Sequence, residues 1–329
     1  MTAAGDVIHP RDRFELDNVQ AQAAAFEDSL QRGRLHHAWM LTGPQGLGKA
    51  SFAFRAARRL LGAKADARFG ALGSAPDDAV SRLIASQSHP DLLVLERAGE
   101  GARKVIPVEE ARKLPEFFSK APALGPYRVA IIDAVDDFNA NGANAVLKTL
   151  EEPSARGVLF LISHAPGRLL PTIRSRCRTL AFRPWSHDAV STFVAGRSGL
   201  SHDDAFRVAM IARGSPGRAL SLTDGGTGDL DQFAEEIVGG RGAVPRAAMM
   251  KMAESFRGGE GMERFTLLIE RLSSAVQTRA SGMEPFAAAR CADLWSRLAA
   301  LPGRVEGLNL DRTDALWSAI ADVRASLNP

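Results

Sequence analysis

A glycine-rich loop near the N-terminus constrains this chain more than any other feature of its sequence. Residues 41–51 read Leu-Thr-Gly-Pro-Gln-Gly-Leu-Gly-Lys-Ala-Ser, between a run suited to a buried strand and a run suited to a helix. Loops of this pattern wrap backbone N–H groups around phosphate oxygens at a helix N-terminus, and their lysine reaches the outer phosphates. A chance glycine-rich turn is the alternative. We predict a nucleotide fold whose phosphate site is formed by Gly43, Gly46, Gly48 and Lys49.

The loop lacks the hydroxyl group that holds Mg²⁺ in working nucleotide sites. That hydroxyl belongs to a Ser or Thr directly after the lysine, and this chain has Ala50 there. Ser51 follows one residue later, which is a rotation of about 100° along a helix. We therefore expect the Ser51 hydroxyl to point away from the ion position.

Composition and cysteine usage limit the classes of protein to which the chain can belong. Its 329 residues, 45% of them hydrophobic, are enough for two or three domains with real cores. The sequence shows neither a signal peptide nor an apolar run near the roughly 20 residues of a membrane span, so we predict a cytoplasmic protein. Cys177 and Cys291 form no Cys-x-x-Cys pair, which indicates small buried residues and no zinc site or disulfide framework. The net charge of +3 is too slight to demand nucleic acid.

Short apolar runs in the first part of the chain alternate with helical stretches. This alternation predicts a mostly parallel sheet wrapped by helices. The runs lack polar alternation, as expected for strands that are buried on both faces. The predicted strands cover residues 38–41, 92–95, 129–132, 158–162 and 179–182.

No strand signal follows Trp185, and the rest of the chain is predicted to be helical. Three short helices come first, and a glycine-rich break at residues 225–228 separates them from longer amphipathic helices. We therefore predict three domains, over residues 1–184, 185–227 and 228–329. The predicted helices cover residues 188–196, 203–212, 216–222, 230–238, 244–256, 262–278, 285–299 and 310–327.

A second nucleotide motif is incomplete in the same way as the first. Residues 129–133 form an apolar strand that ends in an acid. In nucleotide folds this Asp holds Mg²⁺ through water, and a following Glu activates the attacking water. Asp133 fills the first role here, whereas Ala134 replaces the glutamate.

Two further segments indicate which kind of nucleotide fold this is. Residues 144–153 read Asn-Ala-Val-Leu-Lys-Thr-Leu-Glu-Glu-Pro, and after another strand residues 175–177 read Ser-Arg-Cys. In this order the two segments are highly specific, and the chain resembles the AAA+ clamp-loader subunits of bacterial DNA polymerase III. Shorter matches extend the resemblance over nearly the whole chain, at residues 35–38, 88–91, 214–217 and 308–312.

The resemblance implies roles for two basic residues. The Ser-Arg-Cys arginine of clamp loaders points at the ATP of the neighbouring subunit, so Arg176 takes the role of an arginine finger supplied in trans. An arginine paired on the surface is the alternative. Lys148 lies on a helix that faces DNA in such assemblies, but it could equally pair with Glu151 or Glu152 along its own helix.

The departures from the family pattern are as informative as the matches. Active members carry a sensor arginine two positions beyond Gly-Ser, where this chain has Gly217, with Arg218 shifted by one. Many relatives carry a four-cysteine zinc module, and residues 55–92 contain no cysteine, so zinc is not expected. His164 follows Ser163 at the position of a small polar sensor, and we interpret it as a structural histidine.

The sequence therefore predicts an α/β P-loop domain of the AAA+ class with a parallel sheet, a three-helix lid and an all-α collar domain. As the resemblance implies, the chain is a non-hydrolysing, stationary subunit of a clamp-loading ring. Its implied partners are the gamma/tau ATPase and delta subunits, with the sliding clamp and primer-template DNA reached through the assembly. No cofactor or metal is required, and ATP or ADP binding is expected to be weak.

Two other functions remain as alternatives. The chain could be an ATP-hydrolysing motor that uses Lys49 and Asp133 with Asp136 or Asp137 as the base. A DNA-binding module acting alone is disfavoured, because the sequence has no basic runs and Tyr127 is its only tyrosine.

Overall fold

The computed structural model describes residues 8–96, 106–138, 140–223, 228–239, 245–257, 261–280 and 283–327. These residues divide into two units. One unit takes the described residues up to Leu220, and the other takes those from Ser221 onward. The predicted break at residues 225–228 and the boundary after residue 227 lie almost wholly outside the described residues, so the division into three domains stays a prediction.

The first unit contains the parallel sheet that the sequence predicts. Its five strands lie in the order β2-β3-β4-β1-β5, and every pair is parallel. β1 is buried along its whole length between β4 and β5. The strands are β1 (Ala38–Thr42), β2 (Leu92–Glu96), β3 (Arg128–Asp133), β4 (Gly157–Ser163) and β5 (Arg178–Ala181).

Helices cover both faces of the sheet, and each face has its own core. Trp39 and Leu41 of β1 pack with Phe52 and Phe160 on one face, whereas Met40 packs on the other. This alternation follows from the two-residue period of a strand. The helices of these cores are α1 (Gln20–Gln31), α2 (Lys49–Leu60), α3 (Ala79–Ala85), α4 (Val108–Ser119), α5 (Ala140–Glu151) and α6 (Pro171–Arg174). Three more helices follow β5 and contribute no described side chain to either core, namely α7 (His187–Ser198), α8 (His202–Ala212) and α9 (Pro216–Thr223).

Four short 3₁₀ turns complete the described part of the first unit. The turn at Val135–Asp137 follows β3 directly and leads toward α5. It therefore places the acids after β3 at the edge of the sheet where the phosphate loop also begins. The other three turns lie at Pro10–Asp12, Ala67–Phe69 and Pro166–Arg168.

The described part of the second unit is helical, as predicted. Its core is formed by apolar side chains from five helices, among them Phe265, Leu294 and Leu316. The helices are α10 (Gly228–Gly239), α11 (Arg246–Glu254), α12 (Gly261–Ala280), α13 (Pro285–Gly307) and α14 (Arg312–Leu327).

The helix boundaries in this unit differ from the prediction by a few residues, and two of the differences have a clear physical reason. α13 continues through Pro302 to Gly307, whereas the sequence predicts an end at residue 299. A proline removes one backbone hydrogen bond, but Leu298 and Val305 on either side are buried in the core and hold the helix together. α14 begins at Arg312, not at residue 310, because the Asp311 carboxylate accepts the first free N–H groups of the helix.

A buried aspartate ties a loop to the sheet. The side chain of Asp91, at the end of the Ser-His-Pro-Asp segment, is fully buried. It accepts N–H groups from Ala123 at 2.7 Å, Leu124 at 2.7 Å and Gly125 at 3.0 Å, and Arg128 Nε lies 3.3 Å away. Burial alone raises the pKa of Asp91, but these donors outweigh it and hold the pKa below its usual value. This segment therefore has a structural role.

We expect Asp91→Ala to lower the free energy of unfolding by about 2–4 kcal/mol, because it leaves three N–H groups and the buried Arg128 without their acceptor. The stabilisation is present above the unfolded carboxyl pKa of about 3.9 and is lost as pH falls through the lower folded pKa. Urea unfolding followed by circular dichroism at pH 7 and at a series of pH values below 4 measures both effects. Asp77→Ala, at an exposed position, is the control, and an equal loss for both variants would contradict the assignment.

Candidate functional site

The phosphate loop joins the carboxyl end of β1 to the start of α2. Gly43, Gly46 and Gly48 have φ values of +136°, +78° and +80°, a region that side-chain-bearing residues rarely adopt. A Cβ on Gly43 would also lie 2.2 Å from the carbonyl oxygen of Phe182. The loop can therefore turn this tightly past the end of β5 only with glycine.

Lys49 is bonded to the loop that it follows. Its side chain is buried, and its Nζ donates to the carbonyl oxygens of Gly43 and Pro44, each at 2.5 Å. Burial lowers the pKa of Lys49 to about 8, although the charges of Asp133 and Asp136 act in the opposite direction. The ammonium group thus sits inside the loop, where phosphate oxygens are the ligands it would attract.

The structure brings Asp133 to the same edge of the sheet as the loop, since it is the last residue of β3 and is half-buried. The two positions that lack functional groups lie beside it and beside the lysine. Ala134 is buried, and Ala50 is half-buried in the first turn of α2. Each supplies only a methyl group at its position. Ser51 is buried within α2.

Both acids that could replace the missing base are bonded to the protein. Asp136 accepts the Ser163 hydroxyl at 2.9 Å and the His164 N–H at 2.6 Å, and so fixes the end of β4. Asp137 accepts the N–H of Ala134 at 3.4 Å. The residues that define the Asp136 contact are far apart in the sequence, and no local pattern reveals it.

The N-terminus of α9 lies directly on the phosphate loop. The Gly217 N–H donates to the Gly46 carbonyl oxygen at 2.9 Å, and the Ser215 hydroxyl donates to the Gln45 carbonyl oxygen at 3.1 Å. A Cβ on Gly217 would lie 2.9 Å from both Cα and the carbonyl oxygen of Gly46. Gly217 is therefore the residue that permits this backbone contact. The sequence indicates Gly217 only as the position at which the resemblance implies a missing sensor arginine, and no local pattern reveals its contact with Gly46.

We expect Gly217→Ala to separate α9 from the loop and to lower the free energy of unfolding by about 1–3 kcal/mol, because the added carbon meets backbone atoms that cannot move alone. Hydrogen–deuterium exchange should rise at residues 43–48 and 214–219. Gly196→Ala is the matched control, since a Cβ there meets nothing within 4 Å, and alanine favours a helix interior. Unchanged exchange in Gly217→Ala would show that the contact does not hold the two segments together.

Arg176 lies at the opposite edge of the sheet from the loop. Arg178, the first residue of β5, pairs with Trp39 of β1, which lies four residues before Gly43 and so about 13 Å from it at about 3.3 Å per residue. Arg176 lies in the turn before β5, on the side away from the loop, where it contacts Glu151 at the end of α5, and an arginine side chain does not span this separation. Arg176 cannot act on the phosphate loop of its own chain.

The Arg176 side chain contacts two groups of its own chain. Its Nη2 lies 3.0 Å from Glu151 Oε1, at the end of α5, and its Nη1 donates to the Thr172 carbonyl oxygen at 3.1 Å. Glu151 therefore pairs with Arg176.

Lys148 is exposed on α5. Burial raises the pKa of the Cys177 thiol, next to Arg176 in the sequence, to about 12, which makes it an unreactive residue.

The described residues contain neither a membrane-spanning helix nor a cluster of metal-binding side chains. No helix in these ranges is long and apolar enough to cross a membrane. Within the same part of the chain, no group of three or more His, Cys, Asp or Glu side chains is placed to hold a metal ion. Cys291 is buried.

Comparison with known proteins gives a family match and several relatives. The family described as "DNA polymerase III, delta subunit" matches residues 19–186. DNA polymerase III subunit delta' of Pseudomonas aeruginosa is 44% identical over 156 residues, which are 47% of this chain and 46% of that protein. The same subunit of Escherichia coli K12 is 31% identical over 197 residues, 60% of this chain and 57% of its own length. The chain thus spans about half of the length of the curated relatives it matches.

Among solved structures, a DNA polymerase III gamma subunit-related protein from Thermotoga maritima is similar to this chain. It is 18% identical, with a TM-score of 0.43, over 95% of this chain and 100% of that one.

Proposed function

This chain belongs to the DNA polymerase III delta-subunit family, as a delta-prime clamp-loader protein, and we propose that it is the clamp-loader subunit that does not hydrolyse ATP. In this role it stays in place while neighbouring ATPase subunits cycle and load the sliding clamp onto primed DNA. Its partners are the gamma/tau and delta subunits, and it acts in the cytoplasm.

The observation that carries this proposal is the set of three small residues around an otherwise complete phosphate loop. Ala50 lacks the hydroxyl ligand for Mg²⁺, Ala134 lacks the carboxylate that would activate water, and Gly217 lacks the sensor guanidinium. Each loss removes a separate part of phosphoryl-transfer chemistry. The bonds that hold Asp136 and Asp137 also disfavour the alternative in which one of them serves as the base.

The residues that remain fit phosphate better than they fit a metal–nucleotide complex. Gly43, Gly46, Gly48 and Lys49 would hold phosphate oxygens through N–H groups and one ammonium, and Asp133 alone remains for Mg²⁺. We therefore propose that ATP or ADP binds weakly and largely without Mg²⁺. In this proposal the chain does not hydrolyse the nucleotide that it binds.

Arg176 is proposed to act on the ATP of the adjacent subunit. Its position in the turn before β5, at the edge of the sheet opposite to the loop of its own chain, and the partial exposure of its side chain support a role across a subunit boundary. A planar, permanently charged guanidinium suits the charge that develops on a transferring phosphoryl group.

The purified chain is expected to show no ATP turnover above background, since loss of base catalysis alone typically removes a factor of about 10² to 10⁴. A coupled ATPase assay on the chain and on Lys49→Ala tests this. Equal rates for the two proteins support the proposal. Turnover that disappears in Lys49→Ala would establish the motor alternative.

Arg176→Ala is expected to leave the chain folded and able to join the ring while it slows ATP hydrolysis at the adjacent site. A trans arginine is worth roughly 10³ to 10⁵ in rate at its own site, and the other sites of the ring reduce the observed loss to a modest factor. Arg176→Lys should not restore the rate, because lysine has no planar fork. Single-turnover hydrolysis by the reconstituted ring measures the effect.

Arg174→Ala is the matched control, since Arg174 is exposed two residues away and has no proposed role. If Arg176→Ala rings hydrolyse ATP and load clamps at the unmodified rate, the trans role is wrong.

A further inference from the structure

The glutamate that pairs with Arg176 has no role in the function proposed so far. Glu151 is the last residue of α5, and its carboxylate lies 3.0 Å from the Arg176 guanidinium. The Thr172 carbonyl accepts from the other terminal nitrogen at 3.1 Å. Both terminal nitrogens of Arg176, the atoms that would meet a phosphate, are therefore engaged within the chain.

The pair is open to solvent. The side chain of Glu151 is 52% exposed and that of Arg176 is 38% exposed. Ion pairs of this kind are weak, because water and salt screen them and two long side chains must be held in place. A carboxylate and a phosphate offer the guanidinium similar paired oxygens. A phosphate group that approaches this edge can therefore displace Glu151 from Arg176.

We propose that Glu151 is a positioning residue that holds Arg176 in a resting orientation and competes with the phosphate of the neighbouring ATP for its guanidinium. This inference rests on the proposed trans role of Arg176 and adds a control on it. Glu151 keeps the arginine on its own subunit until a nucleotide is present across the boundary. The pair thus lowers the apparent affinity of the adjacent site for ATP, and it leaves the maximal rate unchanged.

The test is Glu151→Gln in the reconstituted ring, because glutamine keeps the shape of the side chain and removes its charge. Without the competing carboxylate, the KM for ATP at the adjacent site should fall about two- to fivefold, the range that an exposed ion pair supports. The kcat should stay within error, since Arg176 is bound to phosphate in both proteins at saturating ATP.

Glu152→Gln is the matched control, because Glu152 is the next residue, carries the same charge and is also exposed. The KM with this variant should equal that of the unmodified ring. A ring with both Glu151→Gln and Arg176→Ala should have the same KM as a ring with Arg176→Ala alone, since the competition needs the arginine. Ring assembly, followed by size-exclusion chromatography, verifies that each variant is incorporated.

The outcomes separate this inference from the function on which it rests. If Arg176→Ala slows hydrolysis and Glu151→Gln leaves KM unchanged, the trans role stands and the competition is wrong. If Glu151→Gln lowers kcat at constant KM, Glu151 orients the arginine for catalysis, and the resting role is overturned. An equal fall of KM in Glu152→Gln would overturn the inference, because any loss of negative charge at this edge would then have the same effect. If Arg176→Ala itself has no effect, the proposed trans role of Arg176 is wrong, and the inference about Glu151 falls with it.

Discussion

The hydrogen bonds of β1 to both of its neighbours determine where the functional residues lie. β1 is buried throughout, and it pairs with β4 on one side and β5 on the other. The phosphate loop must therefore leave at the carboxyl edge of the sheet, next to Asp133. The same pairing puts Arg176, two residues before β5, at the amino edge. The length of β1 thus separates the phosphate loop and Asp133, at one edge of the sheet, from Arg176 at the other edge.

Two of the small residues that, in our proposal, stand in place of catalytic groups also contribute to packing. Ala134 is buried at the end of β3, and Gly217 allows α9 to bond to the loop. Asp136, an acid close to the loop, fixes the end of β4 through Ser163. The same atoms cannot serve this packing and also be free for proton transfer. Inactivity, as we propose it, is consistent with a site whose polar groups are largely satisfied by the protein.

Much of the fold followed from the sequence because its signals are local. Apolar strands without polar alternation must be buried on both faces, and the glycines of the loop permit its positive φ values. The end of α13 did not follow, since the last turns of the helix, beyond residue 299, contain Pro302 and depend on the core contacts of Val305. The contact of Gly217 with Gly46 and the pair of Glu151 with Arg176 also did not follow, because residues far apart in sequence form them.

The seating of Gly217 on Gly46 bears on how such a subunit changes over evolutionary time. A side chain at position 217 would place its first carbon 2.9 Å from the loop backbone. A single substitution of Gly217 by arginine would therefore not be enough to place a guanidinium over the loop, since α9 would first have to move away from it. In a subunit of this kind, gaining such an arginine needs concerted changes in the loop and at the start of α9.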